Sequence, residues 1–146
     1  MSVMKQSPFE ILAETLKTIL TADATPAGDG STLNGKVTPN NIRPFHDAAA
    51  PEPGGLIVFG LFGVEWDSKN RRGQADLNVN AEHPESGKVS EAILQRVRDL
   101  ATAQTLTGNG CRVALFREQP QGTFDMASRL GGYTTKASFR VRLVAD

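Results

Sequence analysis

Lys69, Asn70, Arg71 and Arg72 form the densest basic cluster in the chain, directly after Trp66, Asp67 and Ser68. Ammonium and guanidinium groups at that density can hold phosphates or meet an acidic neighbour, and they can equally make a solvated turn. A large aromatic beside arginines is the composition of an interface anchor. Trp66, Asp67, Lys69, Arg71 and Arg72 are therefore candidate assembly-interface residues. Packing of Trp66 under a sheet fits the same composition, and the sequence leaves both open.

Other residues with chemical potential lead nowhere catalytic. His46 and His83 lie in separate predicted loops with no Cys or His at metal-ligand spacing. His46-Asp47 reads as a solvated loop pair, and the scattered acids include no pair that spacing places together. Cys111 is the one cysteine, which excludes an internal disulfide and suits a reducing cytoplasm. Beside a predicted strand it reads as a small core residue. Gly30-Ser31-Thr32-Leu33-Asn34-Gly35-Lys36 matches the phosphate-cradling pattern G-x-x-x-x-G-K. Its context fails: Val37 supplies no hydroxyl, a helix precedes it, and Pro39 and Pro44 bar a following helix. G-x-S-x-G, H-E-x-x-H and C-x-x-C do not occur. No enzyme activity, cofactor or metal is expected.

The elements that position these residues are legible from spacing. Ser7-Pro8-Phe9-Glu10 is a helix start, and Phe9, Leu12, Leu16, Ile19 and Leu20 form one apolar stripe, so a first helix is expected from Pro8 to Ala22. Residues 27–36 read as an extended, exposed, mobile loop. A weak edge strand is expected between Val37 and Phe45. Leu56 to Val64 is a near-continuous apolar run, suiting a strand covered on both faces. Ala75, Leu77, Val79 and Ala81 alternate with Gln74, Asp76, Asn78 and Asn80, which predicts a strand with one wet face. The two should form a long antiparallel hairpin with a protruding charged tip. A second helix follows, from about Gly87 to Gln104, with Val89, Ala92, Ile93, Val97, Leu100 and Ala101 buried. Cys111 to Phe116 reads as a third core strand, residues 119–132 as an extended connection, and Tyr133 to Leu143 as a final strand. The exposed face of that last strand carries Lys136, Arg140 and Arg142, a candidate channel-facing or contact strip.

A chain of 146 residues has room for one domain and one core. The expected class is α+β, a mainly antiparallel sheet of four to five strands with two helices packed on one face. The opposite face is expected to be a flat hydrophilic surface that an oligomer could use. Lys and Arg total 16, as do Asp and Glu, so no overall basic bias marks a free nucleic-acid-binding domain. No apolar run approaches the ~20 residues of a membrane span, and Lys5 is followed by no apolar leader core. Neither secretion by that route nor membrane spanning is expected.

The arrangement resembles the tail terminator (tail completion) proteins of long-tailed bacteriophages. The likeness is carried by the opening helix Phe9 to Leu20, the Pro-rich approach to a strand ending Gly63-Val64-Glu65-Trp66-Asp67-Ser68-Lys69, and the alternating strand Ala75 to Ala81. It continues through the helix Val89 to Leu106, the turn before Arg112-Val113-Ala114-Leu115, and the closing Ser138-Phe139-Arg140-Val141-Arg142-Leu143. It covers roughly nine-tenths of the chain. The resemblance implies a homohexameric ring that caps the tail tube protein, stops tube growth and presents a face to a head connector or neck protein. DNA would pass through the ring without sequence-specific binding, and no cofactor or catalytic residue comes with the family. The implied location is the head-proximal end of the tail in the virion, and the host cytoplasm during assembly. A head-completion or neck protein is the nearest alternative. A small nucleic-acid-binding module and an enzyme with a loop-built site are the alternatives from other classes.

Overall fold

The computed structural model describes residues 7–25, 30–107, 110–120 and 125–146. Helix α1 (Pro8–Ala24) begins where Ser7 Oγ accepts the Glu10 amide at 3.2 Å, with Pro8 in the first turn, where no amide is missed. Phe9, Leu12, Leu16, Leu20 and Ala24 are its buried stripe, two residues beyond the expected end at Ala22. Ser86 caps α2 (Gly87–Leu100) in the same way. This helix stops short of Gln104, because the Thr105 hydroxyl takes the Leu100 carbonyl at 2.8 Å in place of a further helical amide. Leu94 and Ser90 are buried where the stripe was expected to include Ala92, which is exposed.

Five strands make one mixed sheet: β1 (Val37–Pro44), β2 (Gly55–Asp67), β3 (Arg72–His83), β4 (Cys111–Gln119) and β5 (Tyr133–Ala145), in the order β1-β2-β3-β5-β4. Three pairings are antiparallel, as expected of an α+β sheet with both helices on one face. β1 instead runs parallel to β2. A parallel neighbour requires a chain reversal outside the ladder, and residues 45–54 supply it without a helix. Two buried side chains satisfy its backbone. Arg43 donates to the carbonyls of Asn40, Ala49 and Ala50, and Asn41 bonds the Glu52 amide and the carbonyls of Glu52 and Gly55. β4 is a half-buried edge strand rather than a core strand, because nothing follows it in the sheet.

Asp23 locks the helices together. Arg96 of α2 meets its carboxylate in two bonds of 2.8 and 3.0 Å, and the Leu33 amide adds a third of 2.8 Å. Residues 30–36 are therefore tied down rather than loose: Leu33 is fully buried, and Lys36 Nζ donates to the carbonyls of Gly30 and Thr32. The lysine of the phosphate-loop look-alike is thus engaged with its own loop. Of the expected 27–36 loop, residues 27–29 lie outside the described residues.

The Arg96 hydrogen bond, with the Leu33 amide and the charges of Arg96 and Lys36, holds the Asp23 carboxyl below its ordinary range against the opposing effect of burial. A carboxyl depressed in the folded state stabilises the fold above its unfolded pKa of about 3.9 and loses that contribution as pH falls through the folded value. Asp23→Asn should therefore lower stability at pH 7 and show a shallower loss below about pH 4 than the parent, in denaturant titrations at stepped pH.

Candidate functional site

The β2–β3 hairpin positions the basic cluster, and a bulge decides which way its residues point. Phe62 pairs with Asp76 and Glu65 with Gln74, so Gly63 and Val64 together oppose Ala75. Gly63 takes φ 59°, the left-handed conformation that a glycine-led bulge requires. The extra residue reverses the alternation, putting Trp66 on the helix-covered face. There its ring meets Phe9 edge-on, with centroids 6.1 Å apart. Trp66 is half-buried against the core.

Gly73 is the cross-strand partner of Trp66, and a Cβ there would lie 2.2 Å from the Glu65 carbonyl oxygen and 2.8 Å from the indole. Backbone cannot yield as a flexible side chain can. Gly73→Ala should destabilise by about 1 to 3 kcal/mol and perturb Trp66 fluorescence, checked by chemical unfolding.

The tip does not protrude as expected. β3 pairs with β5 as far as Arg72↔Val144, so only residues 68–71 turn. Asp67 accepts the amides of Lys69 and Asn70 and the Asn70 side chain, and the Asn70 bonds hold its carboxyl below the usual range. Arg71, at φ 50°, lays its guanidinium beside Gly110 at the start of β4. Lys69 and Arg72 remain exposed.

The sheet face away from the helices departs most from expectation. Asp76, Asn78 and Asn80 of β3, expected to be wet, are buried, and Glu82 is wholly inaccessible. Residues 125–130 cross this face as a strap. Lys136 of β5 reaches Asp125 at 2.5 Å and the Met126 carbonyl at 2.9 Å, while Asn80 donates to the same carbonyl. The Met126 side chain fills a small apolar site made by Leu56 and Val58 of β2. Glu82 Oε1 then accepts the Ser128 hydroxyl at 2.6 Å and the amides of Arg129 and Leu130 at 2.7 and 3.1 Å. Arg129 ends the crossing on the carbonyls of Phe45 and Asp47. The flat hydrophilic face is thus half covered, and the 119–132 connection is in part a structural lid on it. Residues 121–124 lie outside the described residues.

Of the expected strip, Lys136 is engaged by the strap, and Arg140 Nε lies 2.8 Å from the buried Asp76 carboxylate. Arg142 stays exposed on the uncovered end. Two arginines that sequence reasoning passed over join it there. In a regular strand Arg112 and Arg117, five positions apart, face opposite ways. The register shift between Val113 and Leu115 inserts Ala114, so Arg112 pairs with Val144, Leu115 with Arg142 and Arg117 with Arg140, all on the outer face. Reading β4 as regular hid this.

Elsewhere, His83 Nδ1 accepts the amides of Glu85 and Ser86 and closes the turn into α2, whereas His46 is exposed. Cys111 is buried, as its strand context implied. Among the described residues no cluster of His, Cys, Asp and Glu could hold a metal ion, and no helix is long and apolar enough to cross a membrane. The structure defines the class as a two-layer α+β protein with one strapped and one open half to its outer sheet face. Neither a protein-family model nor a curated protein matches the chain.

Proposed function

We propose that this chain is a structural virion protein of a tailed bacteriophage, a tail terminator that docks as a homohexameric ring on the last layer of tail tube protein. The ring stops tube polymerisation and offers its other face to a head connector or neck protein. The observation that carries the reading is the order of elements, helix, edge strand, long hairpin, helix and two strands, with the Trp66-Asp67-Ser68-Lys69 turn at the hairpin end. That order is the one on which the family resemblance rests.

Supporting it, the surface offers contacts of the kind an assembly covers. Phe45, Val64 and Tyr133 are large apolar side chains left exposed, and β1 and β4 are open sheet edges. Repetition around a closed ring multiplies modest contacts, so no single large interface is required. The residues assigned to assembly are Trp66, Asp67, Lys69, Arg71 and Arg72, with Trp66 acting as the packed base of the hairpin end and the charged residues as its rim.

Electron microscopy of lysates from a phage lacking this gene tests the reading. Overlong tubes, or tubes without heads, are the expected result. Tails of normal length joined to filled heads would overturn it. Tails of normal length, capped but unjoined, would move the protein to the head side of the joint.

A further inference from the structure

We infer that the uncovered end of the outer sheet face binds the phosphate backbone of a nucleic acid, through Arg112 and Arg117 of β4 and Arg142 of β5. The inference stands on the charge geometry of this surface, whatever the chain assembles into. Arg112, Arg117 and Arg142 are all exposed, and none forms an ion pair among the described residues. Their grouping depends on the β4 bulge, which turns Arg112 and Arg117 to one face. Arg117 sits directly opposite Arg140, and like charges directly opposite destabilise a sheet. A local rule broken in this way, with no compensation to Arg117 among the described residues, marks a place where a ligand supplies the missing charge.

The neighbouring carboxylates do not supply it. Asp76 is buried against Arg140, and Glu118, next to Arg117 in the chain, lies on the other face with Arg98. Glu65 and Asp67 line the far wall of a shallow depression between β2 and β5 with Arg72, Gln74 and Arg142. Asp67 is engaged by its own turn, and Glu65 accepts from Gln74 at 3.2 Å. Those two acids repel a polyanion from the β2 side and direct it along β5 and β4.

A nucleic acid fits this surface better than an acidic protein does. Arginine forks match phosphate oxygens two at a time, and backbone contact needs an open row of charges rather than a pocket. The apolar members of the patch, Leu115 and Val144, are half-buried between arginines, with no exposed aromatic to act as a protein hot spot. Three arginine contacts imply weak binding with no base preference and a slope near −2.7 in log K against log salt, or about 40-fold weakening from about 50 to 200 mM salt.

Fluorescence anisotropy with a labelled duplex of mixed sequence and a labelled polyglutamate, across a salt series, tests this on the full chain. Expected is salt-dependent duplex binding, little affected by sequence and stronger than polyglutamate binding. The triple variant R112Q/R117Q/R142Q should bind at least about tenfold more weakly at low salt, with a much shallower slope. The double variant K17Q/K88Q removes charge from exposed helical positions and should bind as the parent does. R117Q alone relieves the like-charge pair, so it should melt no lower than the parent while binding several-fold more weakly. It keeps the test decisive if the triple variant misfolds. Absence of duplex binding, equal losses in the triple and the helical variants, or undiminished binding by R117Q would each overturn the proposal. Preference for polyglutamate would overturn it in favour of an acidic protein partner.

Discussion

Glu82→Ala should detach the strap from the sheet. The carboxylate is wholly buried on β3, and one oxygen takes the Ser128 hydroxyl and two successive amides from residues 129 and 130. Removing it leaves three donors without their acceptor, each worth about 1 kcal/mol net and more if it stays buried. The other oxygen, Oε2, has no hydrogen-bond partner among the described residues, so relief of its burial returns part of that loss. A net destabilisation of about 2 to 4 kcal/mol is expected, with faster amide exchange at residues 128–130 and proteolysis near the strap. Glu82→Gln retains an acceptor at Oε1 and should keep the strap protected at a smaller cost. Equal exchange in Glu82→Ala and the parent would show that Met126 and Arg129 hold the strap without the carboxylate.

The second large effect separates two adjacent residues. Val141 is fully inaccessible, between Ala75 of β3 and Phe116 of β4, within the core that the helices cover. Arg142 points the opposite way, to solvent. Val141→Asp places a carboxylate in an apolar core and should cost about 4 kcal/mol or more, a large share of the stability of an ordinary domain. Arg142→Asp should stay folded within about 1 kcal/mol of the parent. Urea midpoints for the two proteins decide the matter, and similar midpoints would mean that the facing of β5 is off by one residue.

That facing was readable in the sequence. Phe139, Val141 and Leu143 alternate with Arg140 and Arg142 along an unbroken strand, and the structure buries the first set. The helix starts were readable too, with Ser7 named as a cap and the second start placed at about Gly87, because Ser7 and Ser86 act through side-chain bonds to residues three positions on. Local chemistry of this kind needs only a few consecutive residues. The helix ends were less legible, since the stop of α2 depends on a hydroxyl at Thr105 that reaches back to Leu100.

Alternation tells which residues share a face but not what covers it. Asp76, Asn78 and Asn80 read as solvent-facing because they are polar, yet all three are buried, and the chain returns more than forty positions after Asn80 to lay Met126 over that face. Their polarity is matched by hydrogen bonds with that strap, Gln119 and Ser138 and by the ion pair of Asp76 with Arg140, which no local pattern announces. Nor could the pattern show that β1 would lie parallel to β2, a pairing that rests on Arg43 and Asn41 stabilising the reversal between them.

The sequence by itself determined the α+β class, the two helices, the approximate strands and the inward side of β5, because short-range periodicity and capping suffice for those. The tertiary structure alone decided the bulges at Gly63-Val64 and at Ala114. Each adds a residue against a partner strand, so each exists only as a relation between two strands. The first turns Trp66 toward Phe9 and the core, and the second gathers Arg112 and Arg117 on one face with Arg142. A shift of one residue reverses every side chain beyond it, and only the paired strand records that shift.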